Sequence, residues 1–346
     1  MNPTSRPLRG ALVGCGNVAR HHLAAWSRVV GAELVALCDV LPDRLDRARS
    51  LVPSARTYNV LDTLLDEESL DFLEICTGPE AHLPIIARAA RRGVHCLCQK
   101  PVTTTRDALI EILLLCDESH VALMVHENWR FRPWNRALRA CLETGVVGRP
   151  IRLRLSHHDT RALTPDGFRE QPFLGSMPQL ILMEMGCHLV DTARFLMGEV
   201  ESVHATTSRF GVGHPGEDVA TLSLEFVGGA LGLLDMSWCA VSDPRFSRAE
   251  WALNATVIEG TEGSLAVTSD GQLVRTGLDG DVRVIPVGLP PVDQVYVDAF
   301  RATQQHFIDR LRSGGMHETS GHDTLKTMEV VWAAYRSAGD GTTVAL

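Results

Sequence analysis

The chain has 346 residues, 45% of them hydrophobic and 22% charged, a globular balance with room for two cores. Its 33 basic and 42 acidic residues leave a formal net charge of −9, which disfavours a nucleic-acid partner, and no apolar run reaches the length of a membrane helix. The nine cysteines form no Cys-x-x-Cys pair and fall mostly in apolar runs, so they read as core residues of a reduced, cytoplasmic protein with no apolar leader.

In chain order, residues 8–13 are a short apolar run ending in glycine, and 18–30 carry apolar residues at helical spacing. Residues 32–38 are a second apolar run closed by Asp39, and 41–51 read as a helix. Strand-like runs at 70–76, 94–98 and 121–125 alternate with helical patterns at 81–90 and 109–116. Strands apolar on both faces and separated by helices predict a parallel sheet covered on both sides, a doubly wound domain over residues 1–125.

From 126 to 346 the pattern changes. A helix is predicted at 133–144, and after Gly148 come strands with period-two alternation. Residues 218–226 and 230–238 flank Gly228-Gly229, a hairpin signal, and short strands follow at 252–259, 264–268, 272–276 and 282–287. Helices are predicted at 184–197, 297–312 and 323–338. The expectation is an α/β domain with a large, mostly antiparallel open sheet. Arg130, Arg132, Arg136 and Arg139 read as a solvated helix face with one arginine turned inward.

Three segments point to chemistry. Gly14-Cys15-Gly16-Asn17-Val18-Ala19 fits G-x-G-x-x-G/A between a predicted strand and helix, with Asp39 closing the next strand. The first glycine allows the tight turn, the second the approach of a pyrophosphate, and Ala19 close helix–sheet packing. A carboxylate at Asp39 accepts ribose hydroxyls and repels a 2′-phosphate, so NAD is expected over NADP, although Arg44 lies close in sequence. Lys100, in Cys98-Gln99-Lys100-Pro101, ends the strand at 94–98, where a ligand crevice opens; spacing alone leaves it open between a reacting group and a surface lysine, and Pro101 implies a fixed turn, cis or trans. Glu184, His188 and Asp191 share one face of a helix, where a carboxylate one turn from a histidine can orient the ring as a general base; a satisfied core histidine fits the same spacing. His157, His158 and Asp159 offer metal-ligand chemistry but no H-E-x-x-H pattern, and no metal is expected.

Taken together and in this order, these segments, with Thr77-Gly78-Pro79 and His82, resemble the Gfo/Idh/MocA family of sugar and inositol dehydrogenases. Cys98–Pro101, Met124–Arg130, Gln171-Pro172-Phe173, Gly216–Thr221 and Gln305–Thr327 resemble one sugar dehydrogenase of that family, and 157–182 is less alike. The resemblance implies Lys100 between nicotinamide and substrate, Glu184 and His188 as the acid–histidine pair, and a homodimer or homotetramer. It extends the cofactor set to Thr77, His82 and Gln99 and the substrate set to Gln171; Asn128 and Arg130 are expected to touch nicotinamide or sugar from their place just past the last strand of the first domain, and the Asp191 carboxylate to bind a neighbouring hydroxyl. Two positions depart from the family pattern: Gln99 stands for glutamate and Glu184 for aspartate. The implied activity is oxidation of a sugar or polyol hydroxyl by hydride transfer to NAD. A redox-neutral reaction with tightly held NAD and an NAD-sensing regulator are the alternatives.

Overall fold

The computed structural model describes residues 6–164, 166–241 and 255–346. The first sheet contains β1 (Leu8–Val13), β2 (Ala32–Cys38), β3 (Arg56–Tyr58), β4 (Phe72–Ile75), β5 (His95–Gln99) and β6 (Leu123–His126). All pairs are parallel, in the order β3-β2-β1-β4-β5-β6. The order reverses between β1 and β4, where a doubly wound sheet opens its ligand crevice. Every residue of β4 and β6 is buried, which explains their apolar sequences and makes Glu74 and His126 exceptions.

The connecting helices are α1 (Ala19–Trp26), α2 (Pro42–Leu51), α3 (Leu61–Glu67), α4 (His82–Ala90) and α5 (Arg106–Glu118). β3 and α3 are absent from the sequence reading. β3 has three residues, two of them exposed, so no periodicity marks it; its pairing with β2 makes it a strand.

The helix α8 (Val295–Ser313) carries the chain back to this sheet. Phe300 meets the His22 ring edge-on at 5.0 Å, Phe307 meets Phe72 at 5.8 Å, and Gln304 Nε2 donates to Glu74 Oε1 at 3.2 Å. The compact unit is therefore Met1–Asn128 together with Val297–Leu325, and the division 1–125 and 126–346 misses this return. Apolar periodicity announces a helix without saying which sheet it covers.

The second unit comprises Trp129–Tyr296 and Lys326–Leu346. Its sheet joins β7 (Pro150–His158), β8 (Val200–Ser208), β9 (Val219–Phe226), β10 (Leu231–Ser237), β11 (Ala255–Gly260), β12 (Gly263–Val267), β13 (Leu273–Gly277), β14 (Val282–Ile285) and β15 (Val344–Ala345). The order is β14-β13-β12-β11-β7-β10-β9-β8-β15, antiparallel except between β7 and β10. The Gly228-Gly229 hairpin joins β9 to β10 as expected; residues 252–254 of the strand predicted at 252–259 lie outside the described residues. Leu153, Leu155, Leu222, Leu224, Leu234 and Met236 point inward, and α7 (Cys187–Met197) packs on β7 and β10. The remaining helices are α6 (Pro133–Glu143) and α9 (Gly321–Asp340), the latter contributing Ser337, whose Oγ accepts the Ala205 N–H at 2.9 Å. No helix among the described residues is long and apolar enough to cross a membrane.

Candidate functional site

The glycine turn after β1 has the backbone its motif requires. Gly14 has φ +91°, and a Cβ there would sit 2.7 Å from the Cys76 carbonyl carbon and 2.8 Å from the Thr77 nitrogen. A Cβ on Gly16 would meet nothing nearer than Arg44 Nη1 at 4.0 Å, so the backbone there is open to approach. α1 begins at Ala19, which is buried, and its N-cap, Val18, brings no side-chain acceptor to the first N–H groups, as an anion-binding helix start needs; Asn17 lies just before it. Thr77 Oγ1 is buried beside Gly14 with no hydrogen-bond partner, a polar atom that a bound ligand would satisfy.

Asp39 ties this turn to β2. Its Oδ2 accepts the Cys15 N–H at 2.7 Å, its Oδ1 accepts the Leu41 N–H at 2.9 Å, and Arg44 Nη1 stands 3.9 Å from Oδ2. Each oxygen keeps a lone pair for a ribose hydroxyl. Burial, with the Asp39 charge adding to it, pushes the Cys15 thiol up to about 12 and keeps it protonated. All nine cysteines are free.

His82, expected among the cofactor-binding residues, serves as a brace. It is fully buried, with Nδ1 2.9 Å from the Val102 carbonyl and Nε2 3.0 Å from the Thr77 carbonyl. Burial lowers its pKa, and the neutral ring, with its single N–H, donates to one of these carbonyls while packing its other nitrogen against the second.

Beneath Lys100 lies a buried polar chain that the sequence did not announce. Gln99 Oε1 accepts the Lys100 N–H at 2.7 Å, Gln99 Nε2 lies 2.8 Å from His22 Nε2, and His22 Nδ1 lies 2.9 Å from Glu74 Oε1. The Trp26 indole N–H donates to Glu74 Oε2. Burial by itself would push the Glu74 carboxyl up; the hydrogen bonds from the His22 ring and the Trp26 indole act to hold it down. The Lys100–Pro101 bond is cis. His22, Glu74 and Cys76 offer ligand atoms within 4.8 Å of one another, but burial keeps the Cys76 thiol far above its ordinary pKa and His22 Nδ1 is already engaged by Glu74. Neither favours a metal. Asn128 is buried at the end of this unit.

In the second unit the helix expected over 184–197 starts as a π turn, Leu182–Gly186, and continues as α7. Glu184 sits in the π turn and His188 and Asp191 in α7, all three buried. Glu217 caps the start: its Oε1 accepts the N–H groups of Leu180 at 3.0 Å and Leu182 at 3.1 Å, and the Tyr335 hydroxyl at 2.7 Å. Tyr335 Oη in turn accepts the Met183 N–H at 3.1 Å, and burial, then the Glu217 charge, pushes its own pKa up so that it remains a donor. The His188 ring stacks on Trp129 with centroids 4.5 Å apart and planes 1° from parallel, and the Arg132 guanidinium lies 4.0 Å from the same indole.

Arg130 and Asp191, expected to reach substrate separately, hold one another. Arg130 Nε donates to Asp191 Oδ2 at 2.8 Å and its Nη2 to Oδ1, a buried bidentate pair. Arg132 is buried too, so the arginine cluster turns two side chains inward where the sequence reading turned one. Gln171 is half-buried at the head of the short turn Pro172–Ser176. His158 bonds Asp235 at 2.9 Å and Asp159 bonds Arg161 at 2.7 Å, while His157 Nε2 stands 3.9 Å from Asp159 Oδ2.

A glycine turn at the switch point of a doubly wound sheet, followed by a unit built on a mostly antiparallel open sheet, is the architecture of a dinucleotide-binding domain joined to a second unit. Residues 8–127 match the oxidoreductase family with an NAD-binding Rossmann fold, and residues 135–266 match the GFO/IDH/MocA C-terminal domain. The chain belongs to the GFO/IDH/MocA family. It is 36% identical to a D-apiose dehydrogenase of Paraburkholderia graminis, over 99% of this chain and 91% of the relative. A D-apiose dehydrogenase of Rhizobium rhizogenes is 33% identical over 99% and 98% of the two chains. The crystal structure of an oxidoreductase from Agrobacterium radiobacter in complex with NAD+, L-tartaric acid and magnesium superposes with a TM-score of 0.89 at 33% identity, covering 98% of each chain.

Proposed function

We propose that this chain oxidises a hydroxyl of a free sugar or polyol, D-apiose or a close relative, with NAD preferred over NADP. The observation that carries the reading is the end-to-end likeness to D-apiose dehydrogenases in a chain that keeps the glycine turn, Lys100 and the Glu184/His188 pair. When bound, NAD supplies the hydride acceptor. Gly14, Gly16, Asn17, Val18 and Ala19 receive its pyrophosphate, Asp39 its adenosine ribose, and Thr77, Gln99, Lys100 and Asn128 its nicotinamide half. His188, oriented by Glu184 and steadied by the Trp129 stack, accepts the proton of the reacting hydroxyl; Lys100 hydrogen-bonds that oxygen and stabilises its developing negative charge. Gln171 and the Arg130–Asp191 pair hold the neighbouring hydroxyls.

The test is NADH formation by purified protein with NAD or NADP and a panel of sugars and inositols including D-apiose. The expected outcome is turnover with D-apiose or a near analogue. Silence across the panel, with NAD retained through purification and no net NADH, would replace this reading by a redox-neutral one. Lys100→Ala should lower kcat by roughly 10²–10⁴ and leave NAD binding mostly intact, since the glycine turn and Asp39 hold the pyrophosphate and adenosine ribose; equal turnover would remove Lys100 from the chemistry. Self-association into a dimer or tetramer is assigned to the outward face of the nine-stranded sheet, where Arg152, Leu231 and Glu225 stand exposed and in register across β7, β10 and β9. A monomer in sedimentation equilibrium would overturn that assignment.

A further inference from the structure

Gln99 stands where the resembling family carries glutamate, and its surroundings give the exchange a chemical meaning. The backbone N–H of Lys100 can only donate, so the Gln99 atom 2.7 Å from it is the carbonyl oxygen. The other end of the side chain is then the NH2 group, and it faces His22 Nε2 at 2.8 Å. A donor facing Nε2 requires a bare lone pair there. The single ring proton must sit on Nδ1, 2.9 Å from a carboxylate oxygen of Glu74 that is built to receive it. Each link fixes the next, and none depends on choosing an amide orientation.

We propose that Gln99 is a positioning residue that holds the Lys100 backbone and locks His22 as a neutral ring protonated on Nδ1. A glutamate at 99 could accept the Lys100 N–H equally well, but its carboxylate would face Nε2 and demand a second ring proton. His22 would then be an imidazolium between two carboxylates, and the hold on the Lys100 segment would depend on pH. With Gln99 no proton need be taken up. The titratable groups around His22 are Glu74 and Cys76 from the β4 side and His126 from β6, whose ring centroid is 4.4 Å away; α8 contributes the uncharged Phe300 and Gln304, and α1 the Trp26 indole. Only the consequence for catalysis, through Lys100, rests on the dehydrogenase reading.

The experiment is nitrogen NMR of the full-length protein with labelled histidine and NAD present, His22 being assigned from the signals lost in His22→Asn. Wild type at neutral pH should show one protonated and one bare ring nitrogen at His22, with the proton on Nδ1. In Gln99→Glu the bare-nitrogen signal should be lost at the acid end and return on raising pH. A protonated Nε2 in wild type, or Gln99→Glu leaving the His22 signals unaltered, would overturn the proposal. Should Gln99→Glu fail to fold, the wild-type tautomer alone still decides. Because this readout needs no substrate, it separates failure of the tautomer lock from failure of the dehydrogenase assignment. Where turnover is found, kcat/KM of Gln99→Glu should acquire an acid-side inflection that wild type lacks, and an identical profile counts against the positioning role.

Discussion

The two fingerprint glycines should fail in different ways when given a methyl group. At Gly14, alanine must adopt φ +91°, a conformation that costs an L residue about 1–3 kcal/mol. Its Cβ must also displace the Cys76–Thr77 backbone from contacts of 2.7 and 2.8 Å, an overpacking of roughly 1–3 kcal/mol. Gly14→Ala should therefore lose about 2–6 kcal/mol of stability, a fall in Tm of roughly 4–24 °C. Gly16→Ala has open space and no positive φ, so its Tm should stay within a degree or two of wild type while NAD affinity drops about tenfold or more, or ~1.4 kcal/mol per decade. Differential scanning fluorimetry and NAD titration by calorimetry, run on both variants, separate the effects. A Gly14→Ala protein melting with wild type, or a Gly16→Ala protein binding NAD normally, would refute the reasoning at that position.

Three further perturbations test other parts of the site. Asp39→Ala strands the Cys15 and Leu41 N–H groups, so it should cost about 1–3 kcal/mol in urea denaturation besides narrowing any preference for NAD over NADP; a variant as stable as wild type would dissociate Asp39 from the turn. Removing one member of the buried Arg130–Asp191 pair takes the bidentate partner from a buried charge, a loss of about 3–5 kcal/mol, and the Arg130→Met/Asp191→Leu double variant should recover part of that loss; additive losses would refute the pairing energetics. His317 is held at about 4 by burial, from an ordinary 6.5, and its Nε2 lies 3.3 Å from the Phe307 carbonyl. The unfolded chain therefore binds the extra proton first. Stability should be full above pH 6.5 and fall by up to about 3 kcal/mol towards pH 4, with His317→Gln showing a shallower pH dependence of its urea midpoint.

Local patterning was enough to reveal the parallel sheet, because strands buried on both faces must be apolar over their buried length, and 11–13, 34–38 and 96–98 are, with Arg9, Glu33 and His95 confined to the strand starts. The glycine turn was legible for a similar reason: a φ of +91° beside another backbone leaves glycine as the residue that fits, so the constraint is written in the sequence. The Gly228-Gly229 hairpin belongs to the same class of local signal. Partnerships between distant residues were not legible. Glu74 in the middle of a buried strand reads as an anomaly until His22, Trp26 and Gln304 from two helices arrive to donate to it. His82 reads as a ligand-facing residue until both its nitrogens are seen on backbone carbonyls, and Arg130 and Asp191 read as two binding groups until they are seen to bind one another. The cap on the Glu184 turn comes from Glu217 and Tyr335, far along the chain. A residue's type limits what it can donate or accept, and its local spacing sets which face it occupies. Which partner satisfies a buried polar group, and so which charge or proton it carries, is decided by elements that meet in space only when the chain has folded.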